Sequence, residues 1–275
     1  MWRSLFSRRS MIASLVVPLS VIPAMAEGVA PVPVDLRYVV EVSGIKIADM
    51  ALVITPEGGT TRSQLALRSQ GLASLWSDAW SRMSATSATG SSETPLPRKF
   101  EAYQHKRDRV REIGIRYGSE GAISRLEVKS QGRVKESEVP PELRLATVDP
   151  LTALLRLRQW LQAVAAGEGE RSITVPIFDG RKRLDLRASY VGPIVTASGR
   201  GHELEVQLHG LFGFEPDDWF VSVPGEASDE KVRVVVSADA RVAPISLAAI
   251  DAYAGTVIKL AADCLAAPGC SDLTP

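Results

Sequence analysis

One segment near the middle of the chain has a helical pattern, whereas most other patterned segments alternate like β-strands. Residues 149–167 read DPLTALLRLRQWLQAVAAG. Asp149 is a favourable N-cap, because its carboxylate can accept hydrogen bonds from the free N–H groups of the first turn. Pro150 occupies the first helical position, where its missing N–H is not needed, and Gly167 is a suitable stop. We therefore predict a helix at about residues 149–166.

This helix has one wide apolar face. At about 100° per residue, that face is formed by Leu151, Leu154, Leu157, Trp160, Leu161, Val164 and Ala165. Arg158 falls inside the same arc. Two interpretations are open for it. Its methylenes can follow the edge of the core while the guanidinium reaches solvent. Alternatively, it anchors an acidic partner or a ligand head group in a cavity around the helix.

The rest of the chain is dominated by short segments in which polar and apolar residues alternate, the pattern of half-buried strands. The clearest are residues 36–42, 45–54, 61–69, 122–129, 172–178, 183–191, 204–208 and 231–236. Asp179-Gly180 between two of them is a strong hairpin signal. We predict a mainly β (α+β) fold: a single curved antiparallel sheet or open barrel of about ten strands, wrapped around the central helix.

Two further segments have helical spacing. Leu72, Leu75, Trp76 and Ala79 predict a short helix or helical corner. Residues 244–262 predict a C-terminal helix, or a strand followed by a helix. The apolar residues that give this second period are Leu247, Ile250, Tyr253, Val257, Ile258 and Leu260.

The first 26 residues have the features of an export signal. Arg3, Arg8 and Arg9 precede a short apolar run, and Ala24-Met25-Ala26 is an A-x-A cleavage site before Glu27. The paired arginines fit a twin-arginine signal, although general secretory signals also contain such pairs. We therefore expect a periplasmic protein cleaved between Ala26 and Glu27 and not transmembrane afterwards. Residues 27–34 would be flexible, 35–262 a single domain, and 263–275 a tail.

Charge and cysteine content narrow the choice of partners. The formal net charge is zero, which argues against nucleic acid because no basic excess neutralises phosphates. The basic cluster at residues 105–111 could attract an anionic surface, but it also fits a polar hairpin with a solvated face. Cys264 and Cys270 would form a disulfide in an oxidising compartment.

The sequence contains no recognisable catalytic constellation. The three histidines have no metal-ligand spacing, and neither a nucleophile elbow nor a phosphate-binding loop is present. We therefore predict neither a metal nor a cofactor. The candidate ligand-binding residues are Arg158 and the aromatic residues of two clusters, namely Trp76, Trp80, Phe212, Phe214 and Trp219. Closing the edge of a core is the alternative role for those aromatic rings.

Three stretches, taken in order, resemble a known family. They are YVVEVSGIKIADMALVI at 38–54, VPPELRLATVDPLTALLRLRQWL at 139–161 and VPIFDGRKRLDLRASYVG at 175–192. Together they are similar to the exported bacterial proteins of the DUF3108 family, over roughly residues 35–240, and the most specific part is Val175–Leu186. The resemblance implies a periplasmic, β-rich protein with no established catalytic activity, and it supplies no catalytic residues.

Three functional hypotheses follow. In the first, a non-catalytic protein binds an apolar or amphipathic ligand, such as a lipid, a lipoprotein acyl chain or a peptide, or supports envelope integrity. In the second, an envelope hydrolase acts on glycans or peptides through facing carboxylates with raised pKa values. In the third, a structural adaptor presents a large apolar patch to a periplasmic protein partner.

Overall fold

Fourteen antiparallel strands and one α-helix make up the regular structure of the described part of the chain. The structure is a computed structural model and describes residues 32–71, 79–89, 94–197, 199–214, 231–249, 255–266 and 270. The strands are β1 (Val34–Val42), β2 (Ile45–Glu57), β3 (Thr60–Ser69), β4 (Ala79–Thr89), β5 (Pro95–Lys106), β6 (Arg109–Tyr117), β7 (Ile123–Ser130), β8 (Arg133–Lys135), β9 (Ser172–Phe178), β10 (Arg183–Thr196), β11 (Gly199–Phe212), β12 (Val232–Ser237), β13 (Pro244–Ala249) and β14 (Thr256–Asp263). The helix α1 spans Pro150–Ala165, after a 3-10 turn at Pro141–Arg144.

All fourteen strands belong to one sheet. Its order is β8-β7-β6-β5-β4-β3-β2-β1-β14-β13-β12-β11-β10-β9. Every neighbouring pair is close in sequence except β1 and β14, which pair at the centre, from Leu36 opposite Asp263 to Val42 opposite Thr256. The two edge strands, β8 and β9, are joined by the segment that contains α1.

Alternation of buried residues explains why these segments form strands. In β1, Val34, Leu36, Tyr38 and Val40 are buried, and the residues between them are more exposed. Successive strand residues point to opposite faces, so such a strand contributes one apolar face to the interior. In β12, Val232, Val234 and Val236 face inward, although Val235 between them is also buried.

The helix packs against strands from both halves of the sheet, namely β3, β4 and β5 and also β9 and β10. Each of the four apolar clusters includes one buried residue of α1, which is Leu151, Leu161, Leu155 or Ala153. Strands so far apart in the sheet order can meet one helix only if the sheet is strongly curved.

The two edges of the sheet are brought together by side chains and loop backbone. The β9–β10 hairpin tip reaches Ile113 of β6, and Ser137 donates a hydrogen bond of 2.8 Å to the Gly180 carbonyl. Val148, just before α1, forms a parallel bridge with Ile177 of β9. The segment from Ser137 to Val148 therefore fills the seam between the two ends of the sheet.

Local chemistry defines both ends of α1. The Asp149 carboxylate accepts from the backbone N–H groups of Leu151, at 3.0 Å, and Thr152, at 2.9 Å. At the other end, Gly167 adopts a φ of 86° and donates to the Val164 carbonyl. The predicted N-cap and stop are both confirmed.

The mainly β prediction of one antiparallel sheet is confirmed, but the predicted strand count was too low. The predicted C-terminal helix is wrong, because residues 244–249 and 256–263 are the strands β13 and β14. Leu247 pairs with Ile258 across this hairpin, and β14 also pairs with β1. An apolar period over a short window does not separate helix from strand, and here the pairing with β1 decides. The short helix predicted over residues 71–80 falls mainly on residues 72–78, outside the described residues, whereas Ala79 and Trp80 at its end begin strand β4.

The disulfide prediction is confirmed. Cys264 and Cys270 are bonded, with their Cα atoms 5.7 Å apart. Cys264 also donates a backbone hydrogen bond of 2.8 Å to the Asp35 carbonyl, which fixes the start of the disulfide loop beside β1. Among the described residues, no helix has both the length and the apolar character that crossing a bilayer requires.

Candidate functional site

The most distinctive concavity is an apolar cavity between α1 and strands β10–β14. Its volume is about 320 Å³, at the lower end of the range of about 300–1,000 Å³ that is usual for small-molecule pockets. Leu154, Leu157 and Leu161 of the helix form one wall. Inward-facing residues of the strands form the other wall, including Val232, Val234 and Val236 of β12.

The strand register explains why this wall is continuous. Leu204 lies opposite Val234 and Val206 opposite Val232 on neighbouring strands. On the other side of β12, Leu247 lies opposite Val234. Residues directly opposite each other in an antiparallel sheet share a face, so these side chains form rows that all point towards the helix.

The size of the cavity matters for what it holds. The cavity is bounded by apolar side chains of α1 and of strands β10–β14. Water is a poor occupant of a site with few polar partners, whereas an apolar cavity of about 150 Å³ is enough to bind benzene. The cavity is therefore suited to an apolar ligand.

Two residues with polar side chains line the cavity among the described residues, Arg158 and Thr256. Arg158 is 7% exposed, so the interpretation in which its guanidinium reaches solvent is wrong. Its Nε donates to the backbone carbonyl of Arg241 at 2.9 Å, and Nη2 donates to the same oxygen and to the Val32 carbonyl at 3.3 Å. Burial lowers the pKa of Arg158 to about 10, so the side chain remains protonated at neutral pH.

The turn from Asp239 to Val242 positions the carbonyl that Arg158 contacts. Val242 has a φ of 45°, a conformation that β-branched residues rarely adopt. The Asp239 carbonyl accepts from the Val242 N–H at 3.1 Å, and the Asp239 carboxylate accepts from Arg241 Nε at 2.9 Å. These contacts hold the turn and place Val242 in the cavity wall.

A buried polar network lies at the N-terminus of the helix, apart from the cavity. The Asp149 carboxylate accepts from the Thr152 hydroxyl at 2.6 Å, and Thr152 Oγ1 lies 2.7 Å from Ser87 Oγ of β4. Burial raises the pKa of Asp149, and the hydrogen bonds from Thr152 and Leu151 oppose that rise. Among the described residues it is the one carboxyl group with a raised pKa. Both oxygens of the Asp149 carboxylate accept hydrogen bonds within the helix cap. Asp149 therefore does not provide the pair of facing carboxylates that the hydrolase hypothesis requires.

The three predicted aromatic residues that the structure describes lie away from the cavity. Trp80 lies on the outer face of β4, where it stacks on Tyr103 with ring centroids 4.6 Å apart. Phe212 packs against the apolar cluster of β4–β7, and the Phe214 ring lies 4.7 Å from Lys182 Nζ. Trp76 and Trp219 are outside the described residues. Of the four predicted ligand-binding residues that are described, Arg158 is the one found in the cavity wall.

Sequence reasoning missed the aliphatic residues that line the cavity. They lie in strands that were predicted, such as HELEVQLHG at 202–210 and KVRVVV at 231–236. Their alternation indicates a buried face but is the same for a packed core and for an open cavity. The signal that pointed to the cavity was the charge of Arg158 within the apolar arc.

A second concavity, of about 390 Å³, lies on the outer face of β4–β7. Its floor is at Gly114, and charged residues surround it. Lys99 pairs with Glu101 at 2.8 Å, and Glu127 pairs with Arg125 at 2.9 Å and with Lys129 at 2.7 Å. These paired charges partly neutralise the rim, and Arg82, Glu112 and Arg116 also line the groove. The basic cluster at residues 105–111 forms the neighbouring β5–β6 hairpin, whose turn is exposed.

The described surface gives little support to the adaptor hypothesis. The large apolar side chains that are exposed belong to β2, β8, β10, the segment before α1 and the start of the disulfide loop; they are Ile45, Val134, Leu145, Val191, Val195 and Leu265. They come from five separate parts of the chain. Within the described ranges, no cluster of three or more His, Cys, Asp or Glu side chains is arranged to hold a metal ion.

Sequence comparison identifies the family to which this fold belongs. The model of DUF3108, described as a protein of unknown function, matches residues 37–262. The chain belongs to the DUF3108 family. The match extends past residue 240 to β14, so this DUF3108 domain includes the C-terminal hairpin. No curated protein matches the sequence.

Solved structures similar to this DUF3108 protein include the crystal structure of a beta-barrel-like protein of the domain of unknown function DUF1849, from Brucella abortus. The two sequences are 8% identical, the alignment covers 84% of this chain and 96% of that chain, and the TM-score is 0.48. Similarity at this level says nothing about ligand or activity.

The segment Val175–Leu186, predicted to be the most specific part of the family resemblance, contributes to the seam of the fold. Phe178 is fully buried in the cluster that joins β6 and β7 to α1. Asp179 accepts from the backbone N–H groups of Arg181 and Lys182 and so shapes the hairpin turn. Arg183 donates to the Leu143 carbonyl at 3.0 Å and to Asp185 at 2.8 Å. These contacts hold the two ends of the sheet together.

Proposed function

We propose that this protein is a non-catalytic binding protein of the bacterial periplasm, and that it holds an apolar or amphipathic ligand between α1 and the sheet that curves around it. The single observation that carries this proposal is the cavity of about 320 Å³, whose described lining is aliphatic apart from Arg158 and Thr256. The signal-like first 26 residues and the Cys264–Cys270 disulfide support an exported protein. A lipid or a lipoprotein acyl chain fits this chemistry better than a polar peptide.

The first test is to identify what the protein carries. The full chain would be expressed with its own leader, purified from the periplasm without detergent, and analysed by native mass spectrometry before and after solvent extraction. We expect a bound apolar or amphipathic species that disappears on extraction. A protein of unmodified mass, together with no binding of an added hydrophobic probe, would contradict the proposal.

The second test locates the binding site. Val234→Phe places a ring in the cavity wall, and Val195→Phe makes the same change at a position of β10 that is 80% exposed. Binding of the fluorescent probe N-phenylnaphthylamine would be titrated for both variants, with circular dichroism as a check of folding. Val234→Phe should weaken binding at least about tenfold, equivalent to about 1.4 kcal/mol. Val195→Phe should leave binding unchanged, and equal effects of the two would place the ligand elsewhere.

A further inference from the structure

The cavity carries one positive charge in its wall. Among the described lining residues, Arg158 is the only one with an ionisable side chain, and it is 7% exposed. A charge in a low-dielectric site is costly unless an opposite charge or strong hydrogen bonds compensate it. The contacts of Arg158 therefore indicate how far its charge is compensated by the protein.

Arg158 contacts neutral acceptors in the described part of the chain. Nε and Nη2 donate to the backbone carbonyls of Arg241 and Val32, and no described carboxylate lies within ion-pair distance. The third nitrogen, Nη1, has no acceptor among the described residues, yet it is not one of the fully buried unpaired atoms. One edge of the guanidinium is thus held rigidly, and the other remains available.

Two ionisable groups act electrostatically on Arg158, Tyr38 and Asp239, and neither neutralises its charge. The Asp239 carboxylate accepts from Arg241 Nε at 2.9 Å and Nη2 at 2.8 Å. Tyr38 also lies near, and burial raises the pKa of its hydroxyl above the usual range. Tyr38 is therefore neutral and donates to the Pro244 carbonyl at 3.0 Å. Within the ranges that the structure describes, the positive charge of Arg158 thus has no dedicated counter-ion.

We propose that Arg158 binds the anionic head group of the ligand, and that the natural ligand is a single-chain anionic amphiphile, such as a fatty acid or a chain ending in a phosphate. This inference rests on the proposed function. A carboxylate or phosphate oxygen would accept from Nη1 in a charge-assisted hydrogen bond, which is stronger than a bond between neutral groups. The ligand thereby supplies the counter-charge that Arg158 does not receive from the described part of the chain.

The position of Arg158 also gives the ligand a direction. Its partner carbonyl, that of Arg241, precedes Val242, and Val242, Pro244 and Val236 form this end of the cavity. Val232 and Ala249 line the opposite end and pair with each other across β12 and β13. From Val236 to Val232 the strand covers about 13 Å at roughly 3.3 Å per residue. The head group would lie at the Val236 end, and the acyl chain would run along β12 towards Val232.

The test compares ligands that share one tail. Dodecanoate, dodecyl phosphate, dodecanol and dodecyltrimethylammonium would each displace N-phenylnaphthylamine from the wild-type protein at neutral pH. We expect the two anions to bind at least about tenfold more tightly than dodecanol, since a hydrogen bond to a charged group has at least that effect. The cation should bind most weakly. The tighter of the two anions would identify the head-group chemistry.

Two variants test whether the preference for anionic ligands depends on Arg158. Arg158→Gln should remove the preference for anions while dodecanol still binds. Arg156→Gln is the matched control. Arg156 lies on the same helix and also donates to a backbone carbonyl, that of Pro95 at 3.0 Å, but it is not part of the cavity wall. This control should keep the preference. Thermal melts would report folding, and the wild-type comparison decides the question even if Arg158→Gln does not fold.

The outcomes separate the two proposals. If dodecanoate, dodecyl phosphate and dodecanol bind wild type equally, while Val234→Phe weakens all three, the apolar site stands and the head-group inference is overturned. If no dodecyl ligand binds and Val234→Phe changes nothing, the proposed function itself fails. A preference for anions that survives in Arg158→Gln would also overturn the assignment to this residue.

Discussion

Gly180, at the tip of the β9–β10 hairpin, packs directly against Ile113 of β6. A Cβ atom at Gly180 would lie 2.5 Å from Ile113 Cγ2, closer than real Cβ contacts come. The hairpin backbone therefore touches a strand near the opposite end of the sheet. This contact, the hydrogen bond from Ser137 and the bridge at Val148 close the seam without a ladder of strand pairing between the two edges.

Gly180→Ala should destabilise the protein through this contact. Gly180 has a φ of 102° and Gly199 a φ of 114°, but nothing lies within 4 Å of a Cβ at Gly199. Both substitutions introduce backbone strain, and only Gly180→Ala also introduces a clash. We expect Gly180→Ala to lose about 1–3 kcal/mol more than Gly199→Ala, measured by urea unfolding. Equal losses would show that the hairpin tip does not pack on β6.

Two buried tyrosines should respond in opposite ways to loss of the hydroxyl group. The Tyr38 hydroxyl donates to the Pro244 carbonyl at 3.0 Å, whereas the Tyr117 hydroxyl is buried with no partner. Tyr38→Phe should therefore lower the free energy of unfolding by about 1–2 kcal/mol. Tyr117→Phe removes an unsatisfied polar group and should be neutral or stabilising. A larger loss for Tyr117→Phe would contradict the assigned contacts.

The ionisation of Asp149 should make stability depend on pH. Because burial raises its pKa in the folded state, the folded protein binds this proton more tightly than the unfolded chain does. The stability that this group contributes is thus present at low pH. It is lost as pH rises from the unfolded value, near 3.8, through the folded value.

Asp149→Asn keeps an N-cap acceptor and cannot ionise. Relative to this variant, the wild type should become progressively less stable as pH increases above about 4. Urea unfolding of both proteins at several pH values would measure the difference. A difference that stays constant with pH would show that Asp149 does not titrate with a raised pKa.

The disulfide should contribute modestly to stability. Cys264 and Cys270 are six positions apart in sequence, and closing so short a loop restricts the unfolded chain little. The double variant Cys264→Ser, Cys270→Ser should lose about 2 kcal/mol on the chain-entropy estimate. Chemical unfolding with and without a reductant provides the control, because the reductant should affect only the wild type.

Features set by local chemistry could be predicted from sequence. Asp149 and Gly167 mark the ends of α1 because capping depends on residues within one turn, and Asp179-Gly180 marks a hairpin for the same reason. The β13–β14 hairpin was mistaken for a helix because its partner, β1, is more than 200 residues away in sequence. Pairing over that distance leaves no mark in a local window.

The one sequence feature that pointed to the cavity was the charged residue Arg158 in an otherwise apolar arc. Val232 and Val234 alternate as they would in a solid core, so their sequence carries no sign of an unfilled space. Arg158 was conspicuous because a charge occurred within an apolar arc. Its partner, the Arg241 carbonyl, is a backbone group 83 residues away, which no side-chain pattern identifies.

The central pairing of β1 with β14 has a consequence for synthesis. Every other strand pair can form from segments that are neighbours in the chain, but β1 must wait until residues 256–263 have been made. Until then its unpaired N–H and C=O groups form an exposed edge that can template pairing with another chain. A translation product that stops before β14 would therefore contain a complete β1–β8 meander and still be prone to aggregate. If the new chain stayed unfolded until β14 had been made, this aggregation would be avoided.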